Sequence, residues 1–251
     1  MQFTDEDEFV RYILADQPEA PKYFAVMKRV NKEGPAILGE GHHHQWLDVA
    51  KLSEAVASGT VVDLTASPQY AKGHVPGTIN IPMGMLAAWA GWLVDYERPA
   101  YLICEPNQME EAARVLHKIG VEEIAGAFDA DAVKCSGVAT EAYPSGTPAD
   151  LSYAIESGAV KIIDVRSDVE WEEGHIEQAE HYFLGRLPSQ LDQLPRDEQI
   201  VVQCRSGARS AVGASVLQAA GLKNVLNLTG GYTAWKSEGL PSVKSQETIP
   251  A

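Results

Sequence analysis

Short apolar runs alternate with segments of helical periodicity through the second half of the chain. Residues 161–165, 200–204 and 225–228 are rich in valine, isoleucine and leucine, as expected of buried strands. Residues 209–220 repeat apolar side chains at helix-face spacing before Gly221, and residues 188–194 also have a helical pattern. Such alternation builds a parallel sheet covered by helices, with ligand sites at the carboxyl ends of the strands. The sequence therefore predicts an α/β fold.

The pattern occurs twice along the chain. Four residues of the first half recur 101 residues later: Asp63, Gly73, His74 and Gly120 match Asp164, Gly174, His175 and Gly221. A repeat of this length indicates two whole domains rather than a solenoid. We assign residues 46–141 to the first domain and 149–245 to the second, with the Pro-, Gly- and Ser-containing residues 142–148 as a linker.

Residues 1–45 resemble neither repeat and are assigned to a helical connector. The polar stretch from Thr4 to Glu8 precedes apolar positions up to Leu14, which predicts a short amphipathic helix. Proline, glycine and asparagine in residues 17–24 and 31–35 indicate turns. Three adjacent histidines, at residues 42–44, cannot all face one ion on an extended chain, so we expect a solvated segment at His42, His43 and His44 rather than a metal site.

One cysteine lies where a predicted strand ends and a predicted helix begins. The first turn of a helix has unpaired N–H groups and a positive dipole end, both of which attract a negative sulfur. Gly207 lets successive amides turn inward, and nearby arginines favour the thiolate of Cys204. The alternative is a buried strand cysteine, which needs neither glycine nor arginines. We expect Cys204 to be catalytic, and the persulfide or substrate to be bound by Arg205, Ser206, Gly207, Ala208, Arg209 and Ser210.

This loop resembles the Cys-Arg-x-Gly-x-Arg loop of rhodanese-type sulfurtransferases. Two further stretches are similar to motifs of that family: Asp164-x-Arg166 followed by Gly174-His175-Ile176, and residues 230–235, Gly-Gly-Tyr-Thr-Ala-Trp. Gln178 departs from the family pattern, which usually has glycine there. The resemblance implies two tandem rhodanese-like domains, each a parallel sheet flanked by helices, and tandem members often pair an inactive module with an active one.

The first repeat lacks this anion-binding loop. Its residues 104–109 read Cys-Glu-Pro-Asn-Gln-Met, without the two arginines and one residue shorter before the helix. Glu105 opposes formation of a thiolate at Cys104, and Pro106 removes an amide donor. The difference in length leaves open that Ile103, rather than Cys104, aligns with Cys204. We interpret the first domain as non-catalytic, the alternative being a second active site.

Several other residues are expected to be structural. Asp164 would order its loop through backbone hydrogen bonds, and Arg166 would pair with Glu170 or Glu173. Histidines 74 and 175 occupy matching positions, including in the repeat without a working loop, which favours a structural role. Three aromatic residues are expected in the core or the pocket wall: Trp171, Tyr232 and Trp235, the last of them the most buried.

Composition limits the possible partners. The 251 residues have a formal net charge of −15 and a pI near 4.8, which argues against nucleic acid or an anionic membrane. No apolar run approaches the ~20 residues that span a bilayer, and the acidic start is unlike a secretory signal, so we expect a cytoplasmic location. The cysteines Cys104, Cys135 and Cys204 have no metal-binding spacing, and we expect no metal and no cofactor.

The resemblance implies a double displacement. Cys204 would take a sulfane sulfur from thiosulfate or a persulfide and pass it to cyanide, sulfite or a thiol. Residues 1–45 are similar to the connector of bacterial proteins that fuse a metallo-β-lactamase-type persulfide dioxygenase to rhodanese modules, which implies a persulfide dioxygenase domain or protein as partner. Two other functions stay open: a non-catalytic sulfur carrier or scaffold of a sulfide-oxidation system, and a phosphatase or arsenate reductase, whose loop in this fold is one residue longer.

Overall fold

The computed structural model describes residues 3, 5–14, 19–34 and 45–244. Two helices come first, α1 (Glu6–Leu14) and α2 (Tyr23–Glu33). Asp5 accepts a hydrogen bond from the Glu8 N–H at 2.7 Å at the start of α1, which confirms the helix predicted there. His42, His43 and His44 lie outside the described residues.

The first repeat forms a four-stranded sheet whose neighbours are all parallel, in the order β2-β1-β3-β4. A 3₁₀ turn at Val49–Lys51 precedes it. Its strands and helices are, in chain order, α3 (Leu52–Ser58), β1 (Thr60–Asp63), α4 (Ser67–Tyr70), β2 (Ile79–Asn80), α5 (Met83–Leu93), β3 (Ala100–Cys104), α6 (Met109–Lys118), β4 (Ile124–Asp129) and α7 (Ala130–Cys135).

The second repeat forms a five-stranded parallel sheet in the order β5-β9-β8-β6-β7. Two 3₁₀ turns, Leu187–Ser189 and Leu191–Gln193, lie between β7 and β8. The remaining elements are β5 (Ser145–Gly146), α8 (Pro148–Glu156), β6 (Lys161–Asp164), α9 (Asp168–Glu172), β7 (Ala179–His181), β8 (Ile200–Gln203), α10 (Ala208–Ala219), β9 (Val225–Leu228) and α11 (Gly231–Ser237). The chain is thus α/β, with two parallel sheets flanked by helices, as predicted.

Most predicted elements of the second domain are confirmed, including β6, β8, β9 and α10. The helix predicted over residues 188–194 is wrong, because Gln190 leaves the helical region at φ −116° and ψ 5° and separates two short turns. Residues 142–148, predicted as a linker, include strand β5, which pairs with β9.

The turns predicted at residues 17–24 and 31–35 are also wrong where they overlap α2. This helix packs on the first domain, where the ring of Tyr23 lies so close to Gly91 that a Cβ there would be 2.3 Å away. Val26 approaches Gly120 in the same way, at 2.7 Å. The residues that indicate turns, Pro21 and Gly34, lie just outside the helix, and packing against Gly91 and Gly120 holds the helix on the first domain.

Helix α10 is enclosed on both sides, and every residue from Ser210 to Gln218 is buried. One side packs on β8 and β9 of its own sheet, and the other packs on β2 of the first domain. Across this contact the Asn80 N–H donates to Ser215 Oγ at 2.8 Å, and the Tyr143 hydroxyl donates to the Ala211 carbonyl at 3.2 Å. A single hydrophobic cluster therefore includes core residues of both repeats, such as Leu102 of the first and Val202 of the second.

The sheet register settles how the two repeats align. Asp63 lies opposite Ile103, and Asp164 lies opposite Gln203. Ile103 is therefore equivalent to Gln203, so it is Cys104, and not Ile103, that corresponds to Cys204.

The two equivalent aspartates differ in their partners. Asp164 is paired with a buried arginine, whereas the residue two positions after Asp63 is Thr65, whose N–H and hydroxyl donate to Asp63 Oδ1 at 2.9 and 2.7 Å. Burial without a cation raises the pKa of Asp63 to about 6.

No helix in the described part of the chain is long and apolar enough to cross a membrane.

Replacing Asp63 with asparagine should stabilise the protein at neutral pH. The folded carboxyl binds its proton more tightly than the unfolded one, so its stabilising effect is full near pH 4 and is lost as the pH rises through about 6. We expect Asp63→Asn to match wild type at pH 4 and to exceed it by on the order of 3 kcal/mol at pH 7. Urea denaturation across this pH range measures the difference.

The matched control is Asp197→Asn, at an exposed aspartate of the second domain. A variant at residue 63 that is less stable than wild type at pH 7, with the control unchanged, would contradict the assignment of an unfavourable buried charge.

Candidate active site

Cys204 lies in the loop between β8 and α10, and 1 % of the residue is exposed. The Gly207 N–H donates to Cys204 Sγ at 3.2 Å, and the Ser210 hydroxyl donates to the same sulfur at 3.4 Å. Both donors belong to the turn that begins α10, so the positive end of this twelve-residue helix faces the sulfur. This arrangement favours negative charge on Sγ or on a sulfur bonded to it.

Glycine is required at residue 207 by the backbone and by its neighbours. Its φ is +97°, in the left-handed region, and a Cβ there would lie 3.2 Å from the Gly230 nitrogen and 3.3 Å from the Leu228 carbonyl. Gly207 and Ser210 therefore lie at the sulfur, whereas Arg205, Ser206 and Ala208 lie on the exposed side of the loop.

Helix α11 holds the other side of the same loop. The Tyr232 N–H donates to the Cys204 carbonyl at 2.8 Å, and the Thr233 N–H donates to the Arg205 carbonyl at 3.0 Å. A Cβ on Gly231 would lie 2.1 Å from the Cys204 carbonyl oxygen, so only glycine lets the helix come this close. The Gly-Gly-Tyr segment therefore positions the cysteine.

The positive charge of Arg209 is paired with a carboxylate. Its guanidinium makes two hydrogen bonds to the carboxylate of Glu170, at 2.6 and 2.7 Å. The hydrogen bond from Arg209 lowers the pKa of Glu170 to about 2, and the same pair raises the pKa of Arg209. Glu170 is itself fixed by a capping box with Ser167 at the start of α9.

The prediction that Arg166 pairs with Glu170 or Glu173 is wrong. Arg166 is buried and binds Asp164, with Nε and an NH2 group donating to the carboxylate at 2.6 to 3.0 Å. Asp164 also accepts the Arg166 N–H at 2.9 Å, so its expected loop-ordering role is confirmed. Arg166 pairs with Asp164 because this carboxylate is close to the guanidinium and buried beside it, whereas Glu170 and Glu173 are more exposed.

Arg166 links the sequence motifs in space. It donates to the Gly174 carbonyl at 2.8 Å and lies over the ring of Tyr232, 4.3 Å from its centroid. The segment around Asp164, the Gly-His segment and α11 therefore form one support beneath the Cys204 loop.

The two equivalent histidines make the same local contact. Nδ1 of His74 lies 2.9 Å from the Tyr70 carbonyl, and Nδ1 of His175 lies 3.0 Å from the Trp171 carbonyl. Each histidine ring also stacks on the aromatic residue four positions earlier. Their presence in both repeats agrees with a structural role. Trp235 is fully buried, as expected.

The first repeat offers its cysteine none of these donors. Cys104 is fully buried and its sulfur contacts only Met109 Sδ, at 4.0 Å, among its described hydrogen-bonding partners. Burial, followed by the charges of Asp129, Asp63 and Glu105, raises the pKa of the Cys104 thiol to about 12. This sulfur is held as a neutral thiol.

Sequence reasoning missed the partner of Arg209 and the role of α11. The Ser167-x-x-Glu170 spacing is a capping-box signal that places Glu170 at the start of a helix, but it does not say which cation the glutamate meets. Among the described residues, no group of three or more His, Cys, Asp or Glu side chains is placed to hold a metal ion.

Comparison with known proteins places these features in a family. The family model described as rhodanese-like domain matches residues 48–130 and 147–238. A protein named sulfurtransferase from Allochromatium vinosum is 38 % identical over 84 residues, covering 34 % of this chain and 78 % of that protein. Thiosulfate sulfurtransferase 18 of Arabidopsis thaliana is 38 % identical over 120 residues, covering 41 % of this chain and 86 % of that protein.

A rhodanese-related protein from Thermoplasma volcanium is 33 % identical and covers 41 % of this chain and 100 % of that one, with a TM-score of 0.39.

Changing the two charges beside Cys204 should shift its reactivity in opposite directions. Removing the negative charge with Glu170→Gln leaves Arg209 unneutralised and favours the thiolate, whereas Arg209→Gln leaves Glu170 to oppose it. We expect iodoacetamide to alkylate Cys204 about threefold faster in the first variant and about threefold slower in the second at neutral pH. Mass spectrometry of the Cys204 peptide, which distinguishes this site from the exposed Cys135, measures the rates.

Glu172→Gln, an exposed neighbour on α9, is the control and should leave the rate unchanged. The double variant at residues 170 and 209 should return towards the wild-type rate. If both single variants changed the rate in the same direction, the charge pair would not act on Cys204 electrostatically.

Proposed function

The chain belongs to the family of rhodanese-like domains, and from this premise we propose that its second domain transfers sulfur through a persulfide on Cys204. The observation that supports this best is the pair of donors on one sulfur, the Gly207 N–H and the Ser210 hydroxyl. Relatives named as sulfurtransferases agree with a sulfur-transfer role. The identities of donor and acceptor are part of the proposal.

The first half-reaction loads the cysteine. The Cys204 thiolate attacks the outer sulfur of thiosulfate, the S–S bond of thiosulfate breaks, and sulfite leaves with the electron pair. A persulfide donor reacts in the same way and releases a thiol. The N–H of Gly207 and the positive end of α10 stabilise the negative charge on the persulfide that remains.

The second half-reaction discharges the persulfide. An acceptor such as cyanide, sulfite or a thiol attacks the outer sulfur, and Cys204 is released again as a thiolate. We propose that the loop residues following Cys204 surround this outer sulfur, with Arg209 held in place by Glu170. They are Arg205, Ser206, Gly207, Ala208, Arg209 and Ser210. Every step moves one sulfur atom without net oxidation, and the protein's own groups supply the catalysis.

We propose that the first domain, residues 46–141, takes no chemical part. Its cysteine is a buried thiol whose pKa is raised to about 12, with none of the donors found at Cys204. The second domain would comprise residues 149–245, and residues 142–148 would connect the two. We further propose a cytoplasmic location, and a persulfide dioxygenase domain or protein as the source of the persulfide, with residues 1–45 as the connector to it.

Substitution of the two equivalent cysteines should separate the roles of the two domains. Cys204→Ser should abolish turnover of thiosulfate with cyanide, because serine cannot form the persulfide. Cys104→Ser should retain activity near wild type, since its thiol is neutral and enclosed. Thiocyanate formation measures activity, and intact mass after incubation with thiosulfate reports an added sulfur atom.

Loss of activity in both variants, with melting temperatures unchanged, would contradict the assignment of an inactive first domain. Two further results would favour the alternative functions. A loaded protein that never releases sulfur to small acceptors would indicate a carrier, and hydrolysis of an aryl phosphate would indicate a phosphatase.

A further inference from the structure

A cleft of about 750 Å³ lies between the two domains, beside the Cys204 loop. On the second domain it is lined by Ser206, Gly207 and Ala208 of the loop and by the end of β9. On the first domain it is lined by α4, the residues after it and the start of α5. Clefts of this size accommodate organic ligands, and an inorganic anion such as thiosulfate would fill only a small part of it.

One residue, Gly207, contacts both the cleft and the reacting sulfur. Gly207 is part of its lining, and the N–H of the same residue donates to Cys204 Sγ at 3.2 Å. A molecule in the cleft is therefore adjacent to the loop that would hold the persulfide. The first domain, which has no reactive sulfur, supplies the facing wall.

That facing wall is largely apolar. The side chains contributed by the first domain and the connecting segment include Pro68, Ala71, Pro82, Met85 and Tyr143. Such a surface excludes water and favours the hydrocarbon part of an organic molecule over a fully hydrated inorganic ion.

Among the polar residues of the lining, which also include Ser67, Ser145, Ser206 and Thr229, two offer an amide or a charge to a ligand. Asn227, on β9, is 7 % exposed, and the oxygen of its side-chain amide is buried without a hydrogen-bond partner among the described residues. A buried amide oxygen without a partner is unfavourable, so a ligand that donates a hydrogen bond to it gains affinity here. Rotation of the side chain can present either its oxygen or its NH2 group to such a ligand.

The second polar group is Lys72, on the wall formed by the first domain. It is exposed and forms no ion pair within the described part of the chain. In a protein with a net charge of −15, a lysine at the mouth of an apolar cleft attracts a negative group locally.

We propose, on the basis of the sulfur-transfer function above, that this cleft selects an organic thiol as sulfur acceptor. The preferred acceptor has a carboxylate that pairs with Lys72, an amide that binds Asn227, and an apolar body against the first domain. The two domains thus share recognition of the acceptor, the first through Lys72 and its apolar wall and the second through Asn227.

The transfer step is balanced without a co-reactant. The acceptor thiolate attacks the outer sulfur of the Cys204 persulfide and forms a new S–S bond. The bond between that sulfur and Cys204 Sγ breaks, and its electron pair returns to Cys204 as a thiolate. The outer sulfur leaves as the organic persulfide.

Four small thiols test the two polar contacts separately. N-acetylcysteine has an amide and a carboxylate, 3-mercaptopropionate has only the carboxylate, N-acetylcysteamine has only the amide, and 2-mercaptoethanol has neither. The protein is first loaded with thiosulfate and freed of excess donor, and discharge is then followed by intact mass over a range of thiol concentrations. Comparing each thiol between variants cancels its intrinsic nucleophilicity.

Lys72→Gln should raise the half-saturating concentration of the two carboxylate-bearing thiols about threefold, an effect that salt removes, and leave the other two thiols and cyanide unchanged. Asn227→Leu should raise the half-saturating concentration about fivefold for the two amide-bearing thiols only. Lys134→Gln, at an exposed lysine on α7 outside the cleft lining, is the control.

Equal effects of Lys72→Gln on all four thiols, or none on any, would overturn the inference. Because Lys72 is exposed, Lys72→Gln should fold normally, and it tests the inference even if Asn227→Leu fails to fold. Failure of wild-type protein to acquire sulfur from thiosulfate, or to lose it to cyanide, would instead contradict the sulfurtransferase proposal.

Discussion

The close contact between α11 and the Cys204 loop fixes the site. Cys204 is held from two sides. Its carbonyl accepts a hydrogen bond from the Tyr232 N–H, and its sulfur accepts one from the Gly207 N–H. Only a glycine at position 231 allows the two segments to approach this closely. Because these donors are backbone groups within the fold, their direction is set before any substrate arrives, and such preorganised dipoles stabilise charge at no cost in reorganisation.

The two repeats show that the same backbone topology can provide hydrogen-bond donors to a cysteine sulfur or lack them. Both place a cysteine one residue beyond the strand partner of an aspartate. In the second repeat that aspartate is neutralised by Arg166, and the donors of α10 reach the sulfur. In the first, the aspartate has no cation and the cysteine no N–H donor, so both Asp63 and Cys104 have raised pKa values. The chemical difference therefore lies in a few polar partners rather than in topology.

The sequence was sufficient to predict the strands and the active-site helix of the second domain, because alternating buried segments and a Cys-Arg-x-Gly-x-Arg loop are local features. It could not give the long-range partners. Arg209 pairs with Glu170, 39 positions earlier, and Arg166 prefers Asp164 to the glutamates that follow it. Helix α2 was missed for a related reason, since its packing on Gly91 and Gly120 cannot be seen from its own composition.

The enclosure of α10 constrains how the protein can change over evolutionary time. Its buried residues from Ser210 to Gln218 contact β2 on one side and β8 and β9 on the other, so the first repeat covers a face of the helix that begins at the sulfur. Truncation to the second repeat alone would expose that face to water and invite aggregation. Substitutions at the polar positions of the first repeat are therefore less constrained than changes of its shape, because the two repeats share one interior.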